Sequence, residues 1–141
     1  MSSIESNPNA QSCRVQGGAA IREASDAARA FGIAQLLDDD ELARFCIVIE
    51  ELVANLYDHG GLREEDQVEL NFIVEPAGIR VAIVDPGIPF DPWTAPRKVE
   101  QSDRGGGVGI DIIRAWAHFL GYDSTAGRNC LEFLLPLRWQ G

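Results

Sequence analysis

Glu51 and Asn55 stand four residues apart in DELARFCIVIEELVANLYDHG, residues 40–60. On a helix that spacing projects both side chains from one face, about 6 Å apart along the axis. A carboxylate and a carboxamide oxygen so placed suit a proton acceptor and a hard metal ligand. Pairs of this kind are also common on plain helix surfaces. Here, however, Glu50 and Glu51 interrupt the most apolar helical pattern in the chain, and Asn55 falls beside its apolar stripe. Glu50 projects about 100° away from that face.

Two further clusters hold residue types that bind or react. Asp85-Pro86-Gly87-Ile88-Pro89-Phe90-Asp91-Pro92 follows an apolar, strand-like run. A carboxylate fixed at a strand end can accept from an exocyclic amino group such as that of adenine, a bond of about 1.5–3 kcal/mol. Gly87 lets backbone approach a flat ring. Asp, Gly and Pro are equally the ordinary residues of a turn, so a proline-rich turn with a capping Asp stays open. Gly105-Gly106-Gly107-Val108-Gly109 runs into a helical pattern, and free amides at a helix start form a phosphate site. A flexible linker has the same composition. The run lacks the Gly-Lys-Ser/Thr of a P-loop and the preceding buried strand of a dinucleotide fingerprint.

These side chains need a scaffold, and the apolar spacing supplies one. Leu42, Phe45, Ile49, Leu52, Val53 and Leu56 recur at steps of three and four, with Asp38, Asp39 and Asp40 before them as capping acids and Gly60-Gly61 behind. An alanine-rich helix is expected over 19–37, with Ile21, Ala24, Ala28, Phe31 and Leu36 inward. Val68, Leu70, Phe72 and Val74 alternate with polar residues, and Ile79, Val81 and Ile83 follow a Pro76-Ala77-Gly78 turn. That is an antiparallel hairpin. Residues 12–16 suit a short edge strand and 1–11 a disordered N-terminus. Residues 85–109 show no periodicity, a helix is expected over 110–120 stopping at Gly121, and strands over 122–126 and 130–137 close the chain. The expected domain, 12–141, is an α/β (α+β) two-layer sandwich, a mixed and mostly antiparallel sheet with helices on one face.

The chain has 141 residues and a net charge of −10. One domain with one core is the expectation. An acidic surface disfavours nucleic acid and anionic membranes as partners. No spanning run or signal-peptide plan appears, so a cytoplasmic location is expected. Cys13, Cys46 and Cys130 have no close spacing, which argues against a disulfide framework or zinc knuckle; Cys46 and Cys130 are expected in the core. Trp116 is expected there too, and Trp93 over a ligand or partner. His59 shares the Asn55 face, where it could orient a ligand or simply end the helix.

Taken in order, ELVANLYDHG (51–60), VDPGIPFDP (84–92), GGGVGIDIIR (105–114) and GRNCLEF (127–133) resemble the N, G1 and G2 boxes and the closing hairpin of the GHKL (Bergerat-fold) ATPase domain. More narrowly, the chain resembles the bacterial anti-sigma-factor serine/threonine kinases of the histidine kinase-like ATPase superfamily, and the likeness runs from about Cys13 to the end. The resemblance implies ATP and Mg²⁺ as ligands. It implies Glu51 as general base, Asn55 as Mg²⁺ ligand, Asp85 as adenine reader and Gly87 as part of the base pocket. Gly105, Gly107 and Gly109 would form the phosphate lid, with Arg104 beside it. It implies protein partners: an anti-sigma-factor antagonist of the STAS type, a sigma factor, and a second copy in a homodimer. Relatives commonly carry Lys or Arg three residues after the Asn, where this chain has Asp58. A like charge near a triphosphate weakens binding, so a nucleotide-gated interaction module without phosphotransfer is the alternative.

Overall fold

Residues 7–94 and 106–138 are described by a computed structural model, 106–108 through their backbone alone. The elements follow as β1 (Ala10–Gln16), α1 (Ala20–Ala34), α2 (Asp39–His59), β2 (Gln67–Glu75), β3 (Gly78–Asp85), α3 (Gly106–Trp116), β4 (His118–Thr125) and β5 (Arg128–Pro136). The strands make one sheet in the order β1-β2-β3-β5-β4, each neighbouring pair antiparallel. The expectation of a mixed sheet is therefore corrected: among the described residues no ladder is parallel. β3 and β4 do run the same way, but β5 lies between them, so the β3–α3–β4 passage is a split crossover.

Period-two alternation turns Val68, Leu70 and Phe72, Ile79, Val81 and Ile83, and Leu131, Phe133 and Leu135 toward the helices. They meet Phe45, Ile49, Leu52 and Val53 of α2 and the small face of α1, Ala20, Ala24 and Ala28. Phe72 packs edge-on to Phe45 at 5.1 Å and tilted to Phe31 at 5.4 Å, which locks both helices to one sheet face. This is the two-layer α+β sandwich that the alternation demanded.

α2 starts at a capping box. The Glu41 amide donates to Asp38 Oδ1 (2.7 Å) and the Asp38 amide to Glu41 Oε1 (3.2 Å). The chain end past β5 is tied to the same cap, with Arg138 N donating to Glu41 Oε2 at 2.7 Å and its guanidinium to Asp38 Oδ2 at 3.0 Å. These bonds, the Glu41 amide first, hold the Asp38 carboxyl below its usual value of 3.8. The cap's stabilisation is thus present above pH 3.8 and lost as the pH falls through the depressed value. Asp38→Ala is expected to lower the urea midpoint at neutral pH. Its deficit against wild type should shrink below pH 3.8, as paired urea titrations at the two pH values would show.

Several expectations are corrected. α1 ends at Ala34, and Ile21 and Leu36 of its expected stripe are exposed, Leu36 by 87% in a left-handed turn with φ 64°. β1 begins at Ala10, inside the stretch expected to be disordered; 1–6 lie outside the described residues. α3 is displaced by about a turn toward the N-terminus, opening at Gly106 and ending at Trp116 instead of 110–120. Ile110, Ile113 and Ala117 complete its inward stripe, after which His118 and Phe119 pair with Leu134 and Phe133 of β5. Gly121 follows a bulge in that ladder; it does not end a helix. Cys130 alternates out of phase with the buried Asn129 and Leu131, so it is half-buried on the far face of the sheet and not in the core. Trp116 is also only half-buried, with the Arg44 guanidinium 5.6 Å from its ring.

Candidate functional site

The end of β3 and the middle of α2 face each other across a hollow. Leu52, Asn55 and Leu56 of α2, Ile83 and Asp85 of β3, Phe90 and Pro92 beyond it, Tyr122 of β4 and Leu131 of β5 line this tight hollow, about 10 Å³ as it stands. Apolar walls with three polar groups, on Asn55, Asp85 and Tyr122, are the lining chemistry that a flat heterocycle requires.

Asp85 is only 5% exposed. Its Oδ1 accepts from the Gly87 amide (2.8 Å) and from Asn129 Nδ2 (3.0 Å). Oδ2 accepts no bond among the described residues, and Asp85 lines the hollow. Burial pushes the carboxyl up, and the Asn129 and Gly87 bonds pull it part of the way back. The turn after it lies on the α2 terminus: Ile88 N donates to Gly60 O at 2.7 Å, and a β-carbon at Gly87 would run into that same oxygen. Gly87 therefore permits close backbone approach, though toward α2 as much as toward a ligand. Asp91 fills the turn-capping role, accepting from Trp93 N at 2.9 Å. Asp85 makes the same kind of turn bond through the Gly87 amide, so the capping use weighed for this segment is present at both residues.

Asn55 is 3% exposed, and its Nδ2 is buried without a hydrogen-bond partner among the described residues. Such an orphan points to an absent ligand. A half-turn of the carboxamide exchanges N for O, so this position fits a single oxygen ligand to Mg²⁺. Among the described residues no cluster of three His, Cys, Asp or Glu could hold a metal alone. One protein oxygen with phosphates and water completing the shell is the usual arrangement for that ion. Glu51, one turn earlier, is half-buried, and α3 sits against it: a β-carbon on Gly109 would collide with Glu51 Oε1. Glu50 turns elsewhere and accepts from Ser25 Oγ at 2.5 Å.

The structure thus brings Asn55 and Asp85 to one hollow, with Glu51 and Gly109 in contact beside it. Gly107 lies in the first turn of α3, not in a loop before it; Arg104 and Gly105 lie outside the described residues. His59 is exposed, its ring 5.8 Å from that of Phe90. Trp93 stacks on Phe119 and Phe133 at 5.7 and 5.9 Å, pinning the loop to the sheet. The loop is also tied by Phe90 N to the Tyr122 hydroxyl (2.8 Å) and by Arg114 Nε to Pro92 O (2.9 Å).

Sequence reasoning missed Asn129 and Tyr122. Asn129 carried a signal: Leu131, Phe133 and Leu135 continue its alternation inward, so a polar residue in that phase needs a buried partner. Pairing of β3 with β5 places it opposite Asp85. No curated protein matches the chain. A family model described as a histidine kinase-like ATPase domain matches residues 18–135, which includes every element described except β1 and the last residue of β5.

Proposed function

We propose that this chain, which belongs to the histidine kinase-like ATPase domain family, is an ATP-dependent serine/threonine protein kinase of the anti-sigma-factor type. As a domain of that family it binds ATP. The observation that carries the further step is the placing of Glu51 against the start of α3, one helical turn from Asn55 Nδ2, which has no partner among the described residues.

Asp85 Oδ2 would accept from the adenine amino group while Leu52, Ile83, Leu131 and Tyr122 enclose the ring. Amides at the α3 start and the positive helix end would meet the phosphates. Asn55 would hold Mg²⁺, which when bound neutralises phosphate charge. Glu51 takes the proton of the incoming serine hydroxyl as that oxygen bonds to the γ-phosphorus; the bond from phosphorus to the β–γ bridging oxygen breaks, and ADP leaves. The protein substrate proposed is an anti-sigma-factor antagonist of the STAS type, with a sigma factor as a second partner, in a cytoplasmic setting. No helix among the described residues is long and apolar enough to cross a membrane.

Purified protein with Mg-ATP and a candidate antagonist tests this: phosphoserine or phosphothreonine on the antagonist is expected, and ATP binding without any transfer would overturn it. That second outcome fits the other reading, a nucleotide-gated interaction module. Asp58 favours the module, since it is exposed on the last turn of α2 where relatives carry a base.

A further inference from the structure

We propose that Asn129, backed by Ser124, is a positioning residue of the base site: it fixes Asp85 so that Oδ2 alone meets the ligand, and thereby sets the choice between a 6-amino and a 6-oxo purine. This rests on Asp85 being the group that meets the base. Asn129 is 2% exposed and every polar atom of its side chain is engaged. Nδ2 donates to Asp85 Oδ1 at 3.0 Å and to Gly87 O at 2.9 Å, while Oδ1 accepts from Ser124 Oγ at 2.6 Å.

The orientation of that amide is forced. Turning it over would set its oxygen against two acceptors, the Asp85 carboxylate and the Gly87 carbonyl. With both amide hydrogens engaged, Asn129 has none left for a ligand; it works through Asp85. It also holds Gly87 O, so one side chain fixes both the reader and the turn that carries it. Ser124 lies on β4, an edge strand, and is exposed. The base site is therefore held from outside the core, by a residue whose replacement leaves the fold's packing alone.

Selectivity follows from the state of Asp85. Ionised, it only accepts and suits the N–H of a 6-amino group. Protonated, it donates and suits a 6-oxo group. Burial favours the protonated form, and the bonds from Asn129 and Gly87 oppose it. The other charged or titratable groups facing it are Tyr122 on β4 and, across the groove behind it, Arg128, Arg14, Glu69, Asp66 and Glu65; Asp91 lies beyond Tyr122. Removing Asn129 takes away one of the two bonds that oppose protonation, so the loss of adenine preference on acidification moves to higher pH.

Binding of ATP and inosine triphosphate is measured by calorimetry from mildly acidic to neutral pH, for wild type, Asn129→Ala, Ser124→Ala and Ser124→Thr. Wild type is expected to prefer ATP. Ser124→Ala should narrow the ATP-to-inosine ratio by about 3- to 10-fold, the range of one lost hydrogen bond, and Ser124→Thr should restore it. Asn129→Ala should narrow it further and shift its pH profile upward. Should Asn129→Ala fail to fold, the exposed Ser124 pair decides. A wild type that binds neither nucleotide overturns the reading of Asp85 and this inference with it. A wild type that prefers ATP, with variants that keep its ratio and profile, overturns this inference alone.

Discussion

Asp85→Asn is expected to weaken ATP binding by about 10²-fold or more, the range of a charge-assisted bond exchanged for a donor facing a donor. Oδ1 keeps its bonds from Gly87 N and Asn129 Nδ2, so the loss falls on Oδ2, the oxygen without a partner among the described residues. The same change should raise the melting temperature of the ligand-free protein at neutral pH. Because burial lifts the Asp85 carboxyl above its usual 3.8, the folded state binds that proton more tightly than the unfolded one. The stability this contributes is complete below pH 3.8 and lost as the pH rises through the elevated value. At neutral pH the buried carboxylate therefore destabilises the empty protein, and an amide that never ionises removes that penalty. Thermal shifts with and without Mg-ATP separate the two effects. At a ligand concentration 100 times Kd, ATP should stabilise wild type by about 2.7 kcal/mol and the variant hardly at all. A variant that melts no higher when empty, or shifts with ATP as wild type does, would remove Asp85 from the role assigned to it.

That opposition between stability and function explains what could be read in advance. The inward positions of α2 and of β2, β3 and β5 were legible because burial writes itself as a period of 3.6 or 2. Asp85 was legible as chemistry because it ends an apolar run with a charge. Asn129 opens the apolar alternation of β5 instead, and a lone uncharged Asn there also reads as the residue after a turn. Only the β3–β5 register shows what it faces. The α3 boundary failed for a related reason: glycines are poor helix formers, so a run of them reads as loop, whereas Gly109 is needed inside the helix for its backbone to approach Glu51. His118 to Leu120 fit either a helix or a strand, and pairing with β5 decided it. In α1 the expected stripe holds at Ala24, Ala28 and Phe31, which are buried, and fails at its two ends. Ile21 and Leu36 are left outside.

Glu51→Gln tests the chemical step apart from binding. Replacing the carboxylate by a carboxamide of the same shape should leave ATP affinity within a few-fold and lower phosphotransfer by about 10²–10⁴-fold, the usual contribution of a positioned base. Gly109→Ala should act in the same direction by displacement, since the added methyl would occupy the space of Glu51 Oε1. It should do so although alanine favours the helix by about 1 kcal/mol over glycine. A variant that gains stability while losing transfer would show that the glycine serves the approach of α3 to Glu51 and not flexibility alone. Single-turnover transfer to the protein substrate, paired with nucleotide titration of each variant, supplies both quantities. If Glu51→Gln transfers at the wild-type rate, the proton leaves by another route and Glu51 is not the base. If it loses ATP binding as severely as transfer, its carboxylate holds the site together and the orphaned Asn55 amide must be reassigned with it.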